Sequence, residues 1–121
     1  MKMSLKRGEI VLVDLGDTKG SEVRKIRPCI IAQNDVGNKF SPTTIVIPIT
    51  NRTNRGQPTQ IQLYENMLKN STKQIKGMVL TEQIRTIDNS RILSRIGMLS
   101  EESMAQIDSA ILIALGIKIA G

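Results

Sequence analysis

Apolar residues along this chain occur in short runs, and polar segments rich in glycine, asparagine and proline separate them. Runs of this length, with many isoleucines and valines, predict β-strands rather than helices. The exception follows residue 100, where apolar positions recur at helical spacing. The predicted strands cover residues 8–15, 28–33, 44–49, 58–63, 77–87 and 91–98.

The second and third predicted strands flank a loop, residues 34–43, that is rich in Asn, Asp, Gly, Ser and Pro. These residue types favour turns, so we expect an antiparallel hairpin folded about the centre of the loop. This register sets Ile30 opposite Ile47 and Arg27 opposite Thr50. Opposed residues share one face of a sheet, with β-carbons about 4.5–5.5 Å apart. A bulge in the loop would shift the register by one residue and separate the second pair.

The run at 77–87 is predicted as one continuous strand. Alternation places Val79, Thr81, Gln83 and Arg85 on the same side, which becomes polar toward the end of the strand. Such an end is found both at binding sites and where a strand simply reaches solvent, and the pattern does not separate the two.

A C-terminal helix is predicted from Ser100, as N-cap, to about Lys118. Its apolar stripe is typical of core packing, and its breadth also permits a subunit contact. Strands followed by one helix predict a mainly β fold, a small β-barrel with a C-terminal helix, in a single domain covering residues 1–121. The stripe comprises Met104, Ile107, Ile111 and Leu115.

The net charge of +6, from 17 Lys and Arg against 11 Asp and Glu, favours a polyanionic partner. A soluble basic domain with no such partner is the alternative. Aromatic side chains that could stack on bases are scarce, with Phe40 and Tyr64 alone. The basic residues concentrate in two segments, at Lys19, Arg24, Lys25 and Arg27, and at Arg52 and Arg55.

Histidine is absent, which removes the usual general base near neutral pH and the commonest metal ligand. The single cysteine, Cys29, lies in an apolar strand, so we expect a core residue rather than a nucleophile. No metal, cofactor or disulfide is therefore expected. A reducing cytoplasm fits this composition, and no apolar run is long enough for a signal peptide or a membrane span.

Short motifs along most of the chain resemble the MazF/PemK (Kid) toxin family, and most of all its MazF (EndoA) type of Gram-positive bacteria. Each motif alone is weak, but together, in this order, they are specific. They are Arg-Gly-Glu-Ile-Val at 7–11, Gly-Ser-Glu at 20–22, Arg-Pro-Cys-Ile-Ile at 27–31, Gln-Asn-Asp at 33–35, Phe-Ser-Pro-Thr at 40–43, Pro-Ile-Thr at 48–50 and Glu-Gln-Ile-Arg-Thr-Ile-Asp at 82–88.

The resemblance implies an SH3-like barrel, a homodimer and a sequence-specific endonuclease that cuts single-stranded mRNA without the ribosome, at a short U-rich target. It implies a partner as well, a MazE-type antitoxin whose flexible tail blocks the RNA groove. Catalysis is assigned by the resemblance to Arg27 and Thr50. Residues 64–76 have no clear counterpart in the family pattern.

Candidate RNA contacts come from the resemblance and from the basic segments. The resemblance points to the loop at 16–26 and to the region of Gln83. Glu22 could accept from a base amino group or orient Arg27. The candidate RNA-binding residues are Ser21, Glu22, Arg24, Arg52 and Gln83.

RNA cleavage can proceed without a metal when the neighbouring 2′-hydroxyl attacks phosphorus. The reaction then needs proton transfers and stabilisation of a dianionic phosphorus centre. The planar guanidinium of Arg27 can donate two hydrogen bonds to the non-bridging oxygens, and the Thr50 hydroxyl can hold the same phosphate. Because free arginine stays protonated above about pH 12, we expect Arg27 to act by positioning and charge stabilisation.

Two other functions fit part of the sequence. CcdB-like gyrase poisons share the fold, but they depend on a C-terminal Trp-Gly-Ile, and this chain has no Trp. A basic SH3-like barrel that binds nucleic acid without cutting it is the second. For Arg27 itself, the alternative to catalysis is a surface salt bridge, for example to Glu22.

Overall fold

The computed structural model of the protein describes residues 4–17, 19–20, 25–51 and 57–118. Within these ranges the chain forms eight strands and two α-helices. The strands are β1 (Glu9–Asp14), β2 (Ile26–Ile31), β3 (Thr43–Thr50), β4 (Gln60–Leu63), β5 (Leu68–Ser71), β6 (Gly77–Leu80), β7 (Arg85–Asp88) and β8 (Ile92–Leu99), and the helices are α1 (Asp35–Phe40) and α2 (Glu101–Leu115).

The strands pair antiparallel in the order β4-β6-β3-β2-β1-β8-β5, and β7 also pairs with β3. Strand β3 changes partner along its length. Its first residues pair with β7, its middle with β2, and Ile49 and Thr50 with β6. One strand shared in this way bends the sheet into a half-barrel, with α2 at the C-terminus. The mainly β, SH3-like fold with a C-terminal helix is confirmed.

Side chains buried on the two faces of the sheet form two clusters. The helix-side cluster includes Ile30 and Ile47 and packs against Met104 and Ile107 of α2. The far-side cluster contains the residues that alternate with these, among them Val46. Alternation places side chains of opposite parity on opposite faces, so both faces of the central strands are buried. This accounts for the nearly continuous apolar runs of β1 to β3.

The predicted hairpin register is confirmed where the two strands are hydrogen-bonded, because Ile30 pairs with Ile47. The loop itself differs from the prediction. Its residues form α1, whose N-cap is the side chain of Asn34, accepting from the Gly37 N–H at 2.8 Å. The buried Asn38 joins this helix to the strand, since its Oδ1 accepts from the Thr44 hydroxyl at 2.8 Å. Although the connection is a helix and not a simple turn, the pairing of β2 with β3 keeps the predicted register.

The single strand predicted at 77–87 is wrong. A 3₁₀ turn, Thr81–Gln83, divides it into β6 and β7. Buried Thr81 fixes the turn: its N–H donates to the Thr59 carbonyl at 3.1 Å, and its hydroxyl reaches the carbonyls of Thr59 and Ala110. The two halves then pair with opposite ends of β3, so the expected alternation does not continue through the turn.

The C-terminal helix begins as predicted. The Ser100 side chain accepts from the Ser103 N–H at 3.1 Å. It ends at Leu115, earlier than the predicted Lys118, because Gly116 adopts a left-handed conformation with φ of 70° and its N–H bonds back to the last turn. The segment at 64–76, unassigned from the sequence, forms a 3₁₀ turn, Glu65–Met67, and then β5.

Candidate active site

Arg27 and Thr50 lie at the same end of neighbouring strands, near the start of β2 and at the end of β3. The hydrogen-bonded register between these strands ends at the pair Cys29–Pro48. If this register is continued by two residues, Arg27 is opposite Thr50, on the sheet face that carries the far-side cluster. The two are not a pair of the ladder, because β3 leaves β2 after Pro48 and pairs with β6. They therefore flank the point at which β2 and β3 separate.

Arg27 is half-buried. It lies opposite Val13 of β1, a fully buried residue. Its Nε atom is shielded from solvent, and among the described residues it has no hydrogen-bond partner. A buried donor without an acceptor is costly. An anionic oxygen brought to this guanidinium would remove that cost, so the geometry suits a phosphate.

Thr50 is 7 % exposed, and it is held by its backbone. It pairs with Met78 of β6, and Gly77 lies directly beside it. The φ of Gly77 is 145°, which side-chain-bearing residues rarely adopt, and a β-carbon there would overlap the Thr50 carbonyl oxygen. Gln62 of β4 holds Gly77, because its Nε2 donates to the Gly77 carbonyl at 3.0 Å.

Gln83, a predicted RNA contact, is half-buried and ends the 3₁₀ turn that follows β6. Its neighbour Glu82 accepts from Gln60 Nε2 at 2.7 Å and from the Thr59 hydroxyl at 3.4 Å. The structure thus ties this turn to β4 rather than extending it as a strand. The other predicted RNA contacts, Ser21, Glu22, Arg24 and Arg52, lie outside the described residues.

The sequence also offers Asp88 and Glu82 as ion-pair partners for Arg85, but in the part of the chain that the structure describes Arg85 pairs with neither. Asp88 instead caps a 3₁₀ turn. Hydrogen bonds from the Ser90 side chain and from its N–H, the latter at 2.8 Å, lower the pKa of the Asp88 carboxyl.

Cys29 is a core residue, as predicted. It is fully buried between Val11 of β1 and Pro48 of β3. Burial raises the pKa of its thiol to about 12, and the nearby positive charge of Arg85 opposes this only in part. A thiol with this pKa stays protonated at neutral pH, so it does not serve as a nucleophile.

A cleft of about 290 Å³ opens on the helix-side face of β1 and β2, the face opposite to the one that Arg27 shares with Val13. Its floor is apolar, and Asn51, Lys73, Gln74 and Lys76 line its exposed edge. Sequence reasoning missed this cleft, because its polar residues come from a segment without strand or helix periodicity. The one feature of the sequence that could have indicated the cleft is the pair of lysines in residues 73–76. The floor comprises Leu12, Pro28, Ile75 and Ile96.

Across the described ranges, no helix is long and apolar enough to cross a membrane. The same ranges bring no three His, Cys, Asp or Glu side chains together as a set of metal ligands.

The chain is similar to known proteins along nearly its whole length. It is 40% identical over 114 residues to the endoribonuclease MazF of Staphylococcus saprophyticus, and the alignment covers 93% of this chain and 92% of that protein. Its fold matches MazF from Deinococcus radiodurans with a TM-score of 0.80 at 20% identity, covering 95% of this chain and 99% of the other.

A mycobacterial endoribonuclease in complex with its cognate antitoxin also has this fold, with a TM-score of 0.74 at 22% identity, covering 96% of this chain and 99% of the other. The sequence of residues 6–115 matches the model of a toxin family. The chain belongs to that family, the PemK-like, MazF-like toxins of type II toxin–antitoxin systems.

Proposed function

We propose that this protein is an endoribonuclease toxin that cleaves single-stranded mRNA at specific sequences, without a metal, and so inhibits translation and growth. One observation carries the proposal. A half-buried arginine, whose Nε has no partner among the described residues, and a threonine flank the point where two strands separate. The 40% identity to an endoribonuclease supports the same conclusion.

In the proposed reaction the ribose 2′-oxygen attacks the adjacent phosphorus, and the bond from phosphorus to the 5′-oxygen breaks. The products are a 2′,3′-cyclic phosphate and a 5′-hydroxyl, with the proton lost by the 2′-hydroxyl balanced by one gained on the leaving oxygen. DNA has no 2′-hydroxyl, so this chemistry selects RNA.

Arg27 would stabilise the charge that develops on the non-bridging oxygens. Its nitrogens form a planar fork that can donate to two of these oxygens at once. The Thr50 hydroxyl would hold the same group from the opposite strand. Both residues belong to paired strands rather than to loops, so little reorganisation is needed as the transition state forms.

Three partners follow from this proposal. Single-stranded mRNA is the substrate, and the net charge of +6 favours its approach. A MazE-type antitoxin would be the inhibitor, and a related endoribonuclease of the same fold is known with its cognate antitoxin. A second copy of the chain would complete a homodimer, and α2 leaves Ile113 and Leu115 more than half exposed. The cytoplasm is the proposed site of action.

Incubation of the purified protein with a long transcript in excess EDTA tests the proposal. We expect defined fragments that carry 2′,3′-cyclic phosphate and 5′-hydroxyl ends. Arg27→Ala should lose turnover by about 10²–10³-fold, the cost of removing one electrostatic donor. Arg91→Ala removes the same charge at an exposed position and should retain turnover.

Three outcomes would overturn this assignment. Cleavage retained in Arg27→Ala would remove that residue from catalysis. A mobility shift of intact RNA would indicate a binding barrel that does not cut. Gyrase-dependent DNA breaks without RNA cleavage would indicate a gyrase poison.

A further inference from the structure

Arg85 lies on the same face of the sheet as the two proposed catalytic residues. It pairs with Val46 of β3, a residue of the far-side cluster, and opposed residues project from one face. Ile87, two residues further along β7, belongs to the same cluster, as alternation requires. Thr50 follows Val46 by four residues on β3, so Arg85 is set back from Thr50 by about 13 Å along the strand.

The side chain of Arg85 is directed toward the end of the sheet where Arg27 and Thr50 lie. Its positive charge acts on the Cys29 thiol, where it opposes the rise in pKa, and charges act in this way over about 4–6 Å. Cys29 belongs to β2, on the other side of β3, and is two residues from Arg27. The guanidinium of Arg85 therefore reaches across β3 toward β2.

Among the described residues no carboxylate pairs with Arg85. The side chain is half-buried, and β7 pairs with no described strand except β3, so the arginine lies at an edge of the sheet. One sheet face thus carries two arginines, Arg27 and Arg85, without a paired carboxylate in the described ranges. This arrangement suits a ligand that carries several negative charges in series, as a single strand of RNA does.

We propose that Arg85 binds a phosphate of the RNA other than the scissile one and so holds the strand along the face that carries Arg27 and Thr50. This inference rests on the proposed nuclease function and extends it by one substrate-binding residue. Because Arg85 is set back from Thr50, the two reach different phosphates. A contact away from the reacting atoms is equally strong in the bound substrate and in the transition state, so its loss should raise KM and leave kcat unchanged.

The variant Arg85→Gln tests this on an RNA oligonucleotide that contains one mapped cleavage site. We expect KM to rise by about tenfold to a hundredfold, the range for one hydrogen bond to a charged group. The slope of log(kcat/KM) against log salt should decrease by about 0.7, the value for one phosphate of a single strand. Arg85→Lys keeps the charge without the planar fork, so it should restore most of the salt slope.

A scan with neutral phosphates identifies the contact. Each non-scissile phosphate is replaced in turn by a methylphosphonate, which carries no charge. In the wild type, one replacement should lower kcat/KM by about as much as Arg85→Gln does. In Arg85→Gln the same replacement should have little further effect, because the charge that it removes has already lost its partner, whereas replacements elsewhere should cost both proteins equally.

Arg95→Gln is the matched control, since it makes the same substitution on β8. The Nε of Arg95 already binds Glu9 Oε2 at 3.1 Å. This variant should lose stability in urea denaturation, while its KM, its salt slope and its methylphosphonate scan stay as in the wild type.

Three outcomes would overturn this inference and leave the nuclease function intact. The first is a wild-type KM and salt slope in Arg85→Gln. The second is an activity that falls only in proportion to the folded fraction of Arg85→Gln, which would make the residue structural. The third is a methylphosphonate scan with the same profile in both proteins. If the wild type cleaves no RNA, the proposed function fails, and the inference fails with it.

Discussion

Gly77 and Thr50 lie so close that no side chain fits between their backbones. A β-carbon on Gly77 would overlap the Thr50 carbonyl oxygen and lie 2.9 Å from Cγ2 of Ile49. The hydrogen bond from Gln62 to the Gly77 carbonyl holds the glycine against β4 at the same time. The position of the proposed catalytic threonine thus depends on a glycine 27 residues further along the chain.

The substitution Gly77→Ala should displace Thr50 and slow RNA cleavage. It combines a φ that alanine rarely adopts with a backbone overlap, so we expect a loss of more than about 2 kcal/mol in the free energy of unfolding. Urea denaturation measures that loss, and single-turnover cleavage of the folded fraction measures the rate.

Gly116→Ala is the control for this substitution. Gly116 also has a positive φ, of 70°, but a β-carbon there would meet no atom within 4 Å. The expected cost is about 1 kcal/mol, with an unchanged cleavage rate. Equal slowing in both variants would show that the effect is general destabilisation and not displacement of Thr50.

Thr50→Val removes one hydroxyl and keeps the shape of the side chain. If that hydroxyl holds the phosphate, kcat should fall by about tenfold to a hundredfold. Thr44→Val is matched to it, since Thr44 is buried on the same strand and donates to Asn38 Oδ1 at 2.8 Å. That variant should be less stable but cleave normally. A normal kcat in Thr50→Val would exclude the hydroxyl from the reaction.

The hairpin register could be predicted because two apolar runs of equal length, 28–33 and 44–49, flank one loop, so folding about the loop centre aligns their ends. A shift by one residue would exchange Ile30 and Cys29 between the two clusters. The face shared by Arg27 and Thr50 follows from this register. The pairing of Thr50 with β6 does not follow from the register, because no local pattern indicates that β3 changes partner at Ile49.

Two elements could not be predicted, because side-chain contacts with residues outside the elements determine them. The residues at 34–43 that favour turns also favour helix caps. Hydrogen bonds between the Asn38 side chain and the flanking residues Gln33 and Thr44 select the helix. The break at Thr81 depends on the carbonyls of Thr59 and Ala110, which are remote in the sequence. The cleft was missed for the same reason, since three strands and two connecting segments line it.

Asp108→Asn should weaken the attachment of α2 to the N-terminal segment. The Arg7 guanidinium binds both oxygens of Asp108, with Nη1 to Oδ2 at 3.1 Å, and its Nε donates to the Ala32 carbonyl at 2.9 Å. This hydrogen-bonded pairing raises the pKa of Arg7. Because the pair is partly exposed, we expect a loss of about 1 kcal/mol in low salt and less in 1 M salt.

Urea denaturation at the two salt concentrations measures this difference. Glu102→Gln removes a charge of the same sign from the first turn of α2, where the helix dipole favours it, and should cost a few tenths of a kcal/mol. If Asp108→Asn costs no more than Glu102→Gln, the pairing contributes nothing measurable to stability.

Cys29 should make the protein less stable as the pH rises above about 9. The thiol has its ordinary pKa near 9.0 in the unfolded chain and about 12 in the folded protein. Between these values the unfolded state loses the proton and the folded state keeps it, so the free energy of unfolding falls by about 1.4 kcal/mol per pH unit. Below pH 9 both states hold the proton, and the thiol contributes no slope.

Urea denaturation of the wild type and Cys29→Ala between pH 7 and pH 11 isolates this effect. All other side chains are the same in both proteins, so their contributions cancel in the difference. The variant should be less stable by a constant amount up to about pH 9, because it has a cavity at that position. The gap should then narrow as the pH rises, since only the wild type has a thiol to ionise on unfolding. Parallel curves throughout would mean that the folded thiol ionises as readily as the unfolded one, and that Cys29 is not shielded as the packing of β1, β2 and β3 requires.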